Sequence, residues 1–212
     1  MVQMMAEEGA FTKIWEQFAA NLKNGWSWSG FERSVMFMND GDANFTNIAN
    51  VIGLDQVTDG RSIISVDIDN DGDQDLYHQI GGFFAGDAYH NALFHNPGHG
   101  NHFLTMQLVG TQSPRNGYGA RIKIDVNTPK GIWSIHRAVG SVSSFGGSTS
   151  RQEIGLGDAT SIKQVTIFWP GSGTTQVLKD VPMDAMIEVR EGEASFKQLP
   201  LDPIKLIEST IK

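Results

Sequence analysis

The sequence predicts a mainly β protein: an antiparallel β-sandwich with an appended calcium-loop β-hairpin unit, and short helices at the N and C termini. Three observations carry this. Beyond Pro97, short β-branched and aromatic runs recur at intervals of roughly 8–12 residues, the rhythm of a sandwich or barrel. Between residues 67 and 75 five aspartates alternate with other residues, flanked on both sides by strand-like segments. Near each end, apolar residues fall at helical rather than strand spacing.

The expected sandwich strands are Phe103–Val109, Ala120–Val126, Ile132–Val139, Gln152–Leu156, Gln164–Trp169, Thr174–Leu178 and Met186–Arg190. Turn-forming residues separate them, as in Ser113-Pro114-Arg115-Asn116-Gly117, Asn127-Thr128-Pro129-Lys130-Gly131 and Pro170-Gly171-Ser172-Gly173. Upstream, Arg33 to Phe45 reads as strand, turn, strand, with Asn39-Asp40-Gly41-Asp42 at the turn. Asp40, Asp42 and Asn44 mimic the first alternating ligands of a calcium loop, but a hairpin turn accounts for them without a second ion. Phe11, Ile14, Trp15, Phe18 and Leu22 predict an amphipathic helix over residues 8–23, stopped by Asn24-Gly25 and packed by its stripe on the body of the protein. Asp202-Pro203 reads as an N-cap and first helical position, with Ile204, Ile207 and Ile211 on one stripe. That stripe docks on the body or serves a contact between copies in a homo-oligomer.

The acidic run Asp67-Ile68-Asp69-Asn70-Asp71-Gly72-Asp73-Gln74-Asp75 contains no Lys or Arg. Carboxylates so placed repel one another, and a cation is the natural partner. Gly72 supplies the positive φ that a chain wrapped around an ion needs in mid-loop. An all-oxygen set selects calcium over zinc or copper. By the spacing, Asp67, Asp69, Asp71 and Asp75 donate side-chain oxygens and Asp73 its backbone carbonyl. This is not a helix-loop-helix site, because the twelfth position, a glutamate there, is His78 here. Arg61–Val66 and Leu76–Ile80 make it a strand–loop–strand unit stapled by calcium.

The 212 residues suffice for one large or two small domains with a real core. A net charge of −8 and the absence of any basic cluster exclude nucleic acid as a partner. With no cysteine there is no disulfide, thiol catalysis or thiolate metal site. No apolar run has the length of a membrane span. Met1 to Leu22 lacks the pattern of a signal peptide, which fits either a protein kept inside the cell or a sequence that begins after processing.

Phe37-Met38-Asn39-Asp40-Gly41-Asp42 through Phe45, with Asp59-Gly60-Arg61 and Asp75-Leu76-Tyr77, resembles an FG-GAP/VCBS calcium repeat. Leu93-Phe94-His95-Asn96-Pro97-Gly98-His99-Gly100-Asn101-His102-Phe103-Leu104 resembles the start of an ASPIC/UnbV domain. So do Gly119-Ala120-Arg121-Ile122, Ser144-Phe145-Gly146-Gly147, Ile154-Gly155-Leu156-Gly157-Asp158-Ala159 and Trp169-Pro170-Gly171-Ser172-Gly173. The resemblance spans roughly residues 30–192. The same combination closes proteins similar to cartilage acidic protein. It implies calcium binding and an extracellular or cell-envelope role as an interaction module for a protein or carbohydrate ligand. The expected organisation is an N-terminal helix and linker (1–29), a calcium-binding β unit (30–98), a sandwich (99–192) and a C-terminal tail with a short helix (193–212). One repeat cannot close a propeller, so its sheet edges need cover from the sandwich, the N-terminal helix or another subunit.

The competing expectation is a small-molecule enzyme, a cyclase, lyase or hydrolase, with a cleft near Trp26, Trp28 and the histidines His78, His90, His95, His99 and His102. No His-Glu-x-x-His or Gly-x-Ser-x-Gly pattern supports it, and no catalytic residue is assigned. His95, His99 and His102 lie in a glycine-rich linker and read as turn residues, with calcium the only metal. His136-Arg137, with Ser143, Ser144, Gly146 and Gly147, suits the polar face of a sandwich better than an anion or sugar site.

Overall fold

The computed structural model describes residues 9–27, 32–82, 90–141, 147 and 149–206. The chain clusters into two compact units, residues 1–63 with 77–94, and residues 64–76 with 95–212.

In the first unit, α1 spans Ala10–Lys23 and ends at Asn24, whose amide reaches back to Ala20 and Asn21 carbonyls. The Asn24-Gly25 stop acts as expected, with Gly25 at φ 86°. The expected packing of the apolar stripe does not hold. Leu22 is buried, but Phe11, Ile14 and Trp15 are exposed. The aromatic residues meet one another instead, Trp15 lying edge-on to both Phe11 and Phe18. Spacing fixes which residues share a helix face and leaves open whether anything covers it. A hairpin follows, β1 (Phe37–Gly41) antiparallel to β2 (Asn44–Asn47). Its turn falls at Asp42-Ala43, both with positive φ, the backbone a tight two-residue hairpin connection demands. Asp40 accepts a hydrogen bond from the Thr46 hydroxyl, so it serves the hairpin.

Strands β3 (Gly60–Val66), β4 (Asp75–Ile80) and β5 (Ala92–Phe94) form a sheet in that order. The first two are the strands expected on either side of the acidic loop.

The second unit holds the sandwich. One sheet has the order β11 (Thr175–Leu178), β10 (Ser161–Phe168), β7 (Arg121–Thr128), β8 (Gly131–Ala138). The other runs β13 (Phe196–Leu199), β12 (Ala185–Arg190), β6 (His102–Val109), β9 (Gln152–Gly157). Alternate residues of the strands turn inward into one core: Leu104, Met106 and Leu108 from β6, Ile122, Ile124 and Val126 from β7, Val165 and Ile167 from β10, Ile187 and Val189 from β12. This is the period-2 pattern of a strand with one buried face. Trp169 is fully buried, with its indole N–H donating to Gln176 Oε1 at 2.9 Å.

All seven expected sandwich strands are present, with ends that coincide or differ by up to three residues. One pairing departs from the antiparallel expectation: β12 runs parallel to β6, in register from Ala185↔Leu104 to Arg190↔Val109. These strands are joined by a long path through the other sheet, so no tight turn dictates their relative direction. The expected C-terminal helix is absent from residues 201–206, and 207–212 lie outside the described residues. Backbone groups there are engaged elsewhere. The Ile204 amide donates to the Asp69 carbonyl at 2.6 Å, and the Asp202 carbonyl accepts from the Asn70 side chain at 3.2 Å.

Candidate metal centre

Where β3 ends at Val66, the chain turns into the acidic loop and returns as β4 at Asp75. The first and last aspartates hold its shape. Asp67 is buried, its two carboxylate oxygens accepting the amides of Asp71 at 3.0 Å and Gly72 at 3.2 Å. Asp75 is equally buried and accepts the amides of Ile68 at 3.1 Å and Asn96 at 2.8 Å. Gly72 sits at φ 96°, and a Cβ there would lie 2.1 Å from the Phe103 ring. Glycine is required twice over, for the turn and for the aromatic ring beneath it.

The loop is also gripped from the start of β9. The Arg151 guanidinium donates to the Asp67 carbonyl at 2.9 Å and to Asn70 Oδ1 at 3.2 Å, while its Nε binds Glu153 at 2.7 Å. Glu153 in turn accepts the Asp67 amide at 3.1 Å and the Gln74 side chain. Neither residue stood out in the sequence, because each touches the loop only through folding.

Within this frame Asp69 and Asp71 converge with His95. One ligand atom from each lies within 4.8 Å of the others, a group able to hold a metal ion. His95 Nε2 is 3.1 Å from one carboxylate oxygen of Asp69. The other oxygen, Oδ1, is buried and has no hydrogen-bond partner. A buried carboxylate oxygen without a donor is costly unless a cation meets it. Of the five expected ligands, the folded chain thus brings Asp69 and Asp71 together. It turns the oxygens of Asp67 and Asp75 onto backbone amides, which leaves each with lone pairs to spare. Asp71 also accepts the Asp73 amide at 2.9 Å. The Asp73 carboxylate lies against Gly98, where a Cβ would stand 2.4 Å away.

Electrostatics agree with an unbalanced negative site. Burial pushes the Asp67 carboxyl up, and neighbouring Glu153 adds to this, against the amides of Gly72 and Asp71 and the charge of Arg151. Burial also raises Asp73, helped by the charges of Asp71, Asp75 and Asp69 and opposed by His99. A divalent ion would reverse both effects.

The remaining histidines are dispersed. His78 is buried, pushed down by desolvation, and its ring occupies the space a Cβ on Gly60 would fill. His102 Nδ1 pairs with Asp184 at 2.7 Å, and the same carboxylate accepts the Phe103 amide. His90 and His99 are exposed. Trp26 is exposed, and Trp28 lies outside the described residues. One hollow of about 290 Å³ is lined by Arg33, Ser34, Val35, Asn47, Ala49, Asn50 and Asp55. A second, of about 140 Å³, is lined by Ser65, Gln74, Gly140, Thr149, Arg151, Gln152 and Glu153. Neither carries a histidine or a tryptophan, so neither forms the cleft expected of an enzyme. His136 and Arg137 are exposed on β8, while Ser143, Ser144 and Gly146 lie outside the described residues.

No helix among the described residues is long and apolar enough to cross a membrane. No curated protein matches the chain. The family model for ASPIC and UnbV matches residues 110–196, from the end of β6 through β12 to the first residue of β13. The sandwich of the second unit therefore carries an ASPIC/UnbV domain at residues 110–196.

Proposed function

We propose that the loop from Asp67 to Asp75 binds calcium, and that the protein is a calcium-stapled β-rich interaction module. Asp67, Asp69, Asp71 and Asp75 supply side-chain oxygens, and Asp73 its carbonyl. The observation that carries this reading is Asp69 Oδ1, buried without a partner in a loop where burial and the charges of Asp71, Asp75 and Asp69 push the Asp73 carboxyl up. The donors fit a hard cation, since the loop offers carboxylates and carbonyls and no sulfur. When bound, the ion neutralises the loop, while Arg151, Glu153 and the amides of Gly72 and Asp71 hold the ligands in place. The likeness of residues 37–77 to an FG-GAP/VCBS repeat agrees with this. Exposed Phe37 and Phe45 on the β1–β2 hairpin offer an apolar surface suited to a protein or carbohydrate ligand.

Binding to the native state alone stabilises it by RT ln(1 + [L]/Kd), about 2.7 kcal/mol at a hundredfold excess over Kd. Thermal melts with calcium and with chelator should differ accordingly, and Asp69→Ala should melt at one temperature in both. A wild-type melting curve indifferent to calcium, in protein first stripped of metal, refutes the reading.

A further inference from the structure

We propose that His95 makes the loop a mixed nitrogen–oxygen site for a first-row divalent ion of the zinc type, held by His95, Asp69 and Asp71. This rests on the reading that the loop holds a divalent cation, and it concerns which ion is preferred. A loop of oxygens alone favours calcium, whereas an imidazole favours zinc and its neighbours. Here an imidazole nitrogen comes from outside the loop and lies 3.1 Å from Asp69. Ligands on one ion with bonds of about 2.0–2.1 Å stand about 3–3.5 Å apart, so this spacing already suits a shared ion. The second, independent sign is Asp69 itself. Its side chain reaches the same group, the residue is 8% exposed, and Oδ1 has no donor.

His95 is held there by the backbone that follows it. The Asn96 amide binds Asp75 at 2.8 Å, and the Asn96 side chain reaches the Gln74 carbonyl at 3.4 Å. Gly98 packs against Asp73, so three successive contacts fasten this segment to the loop. Asp71 and His95 are exposed, which leaves coordination positions on the ion open to water.

The test is calorimetric titration of the metal-stripped full chain with zinc chloride and, separately, calcium chloride. Wild type, His95→Ala and, as a control for adventitious histidine binding, His136→Ala are compared. The inference expects zinc to bind wild type at least about tenfold more tightly than His95→Ala. Calcium affinity should change far less, and His136→Ala should behave as wild type. Ring-nitrogen NMR should show the His95 Nε2 signal shifting with zinc. His95 Nε2 bonds Asp69, so its removal should lower the metal-free melting temperature only modestly and leave the chain folded. Zinc affinity insensitive to His95→Ala overturns the inference. Calcium binding without zinc binding also overturns it and leaves the calcium reading intact. Zinc bound through His95 without any calcium binding sustains the inference and refutes the calcium reading. A loop that takes neither ion ends both.

Discussion

Glu191 is the carboxylate with most to lose on protonation. It follows β12, is buried, and accepts the amides of Thr111, Gln112 and Ser113 at 2.7–2.8 Å together with the hydroxyls of Ser113 and Ser172. Burial alone would push its carboxyl up. The donors from Ser113, Ser172, Thr111 and Gln112 outweigh burial and hold it well below the usual carboxylate range. A depressed folded value means that its stabilisation is complete above the unfolded value of about 4.3 and is lost as pH falls further. Glu191→Gln should therefore cost about 2–3 kcal/mol at neutral pH and flatten the acid limb of stability. Urea melts from pH 7 down to pH 3 measure this, and equal slopes in both proteins would refute it. Gly72 shows how differently two properties of one residue can be read. Gly72 announces its positive φ by its place in the run, whereas nothing local says that Phe103 fills the space beside it.

Among the elements, the acidic loop and the start of β9 act together. Arg151 binds the loop at Asp67 and Asn70 and is itself oriented by Glu153. Arg151→Ala should leave the sandwich folded, because no core side chain is touched, yet weaken metal binding about 10–100-fold by freeing the ligand frame. Calorimetry beside near-ultraviolet circular dichroism tests both halves, and unchanged affinity would show the grip to be dispensable. The strands flanking the loop, and seven of the sandwich's eight, were legible because alternation and turn residues are local signals. β5 and β13 are too short to show alternation and escaped notice. Asp202-Pro203 signalled a helix start, but the backbone from Asp202 to Ile204 bonds to the loop instead.

The core of the second unit supplies the stability on which any site in it depends. Ile167 and Ile124 are fully buried on adjacent strands of one sheet, in a cluster that includes Leu104 and Ile187 of the other. Ile167→Ala should cost about 2–5 kcal/mol through lost burial and the cavity left behind. A chemical melt showing less than about 1 kcal/mol would mean a looser core than this packing implies. The sequence by itself determined the β class, the strand rhythm, the acidic loop with its glycine, and the likeness to an ASPIC/UnbV domain. All of these are written in neighbouring residues, within the reach of a turn or a strand's period. Folding alone decided that α1 leaves Phe11, Ile14 and Trp15 exposed, that β12 lies parallel to β6, that Glu191 gathers donors some 80 residues away, and that His95 arrives beside Asp69. Such contacts join residues whose spacing along the chain sets no spatial limit, so they exist only once the core has closed and burial decides which polar groups must find one another.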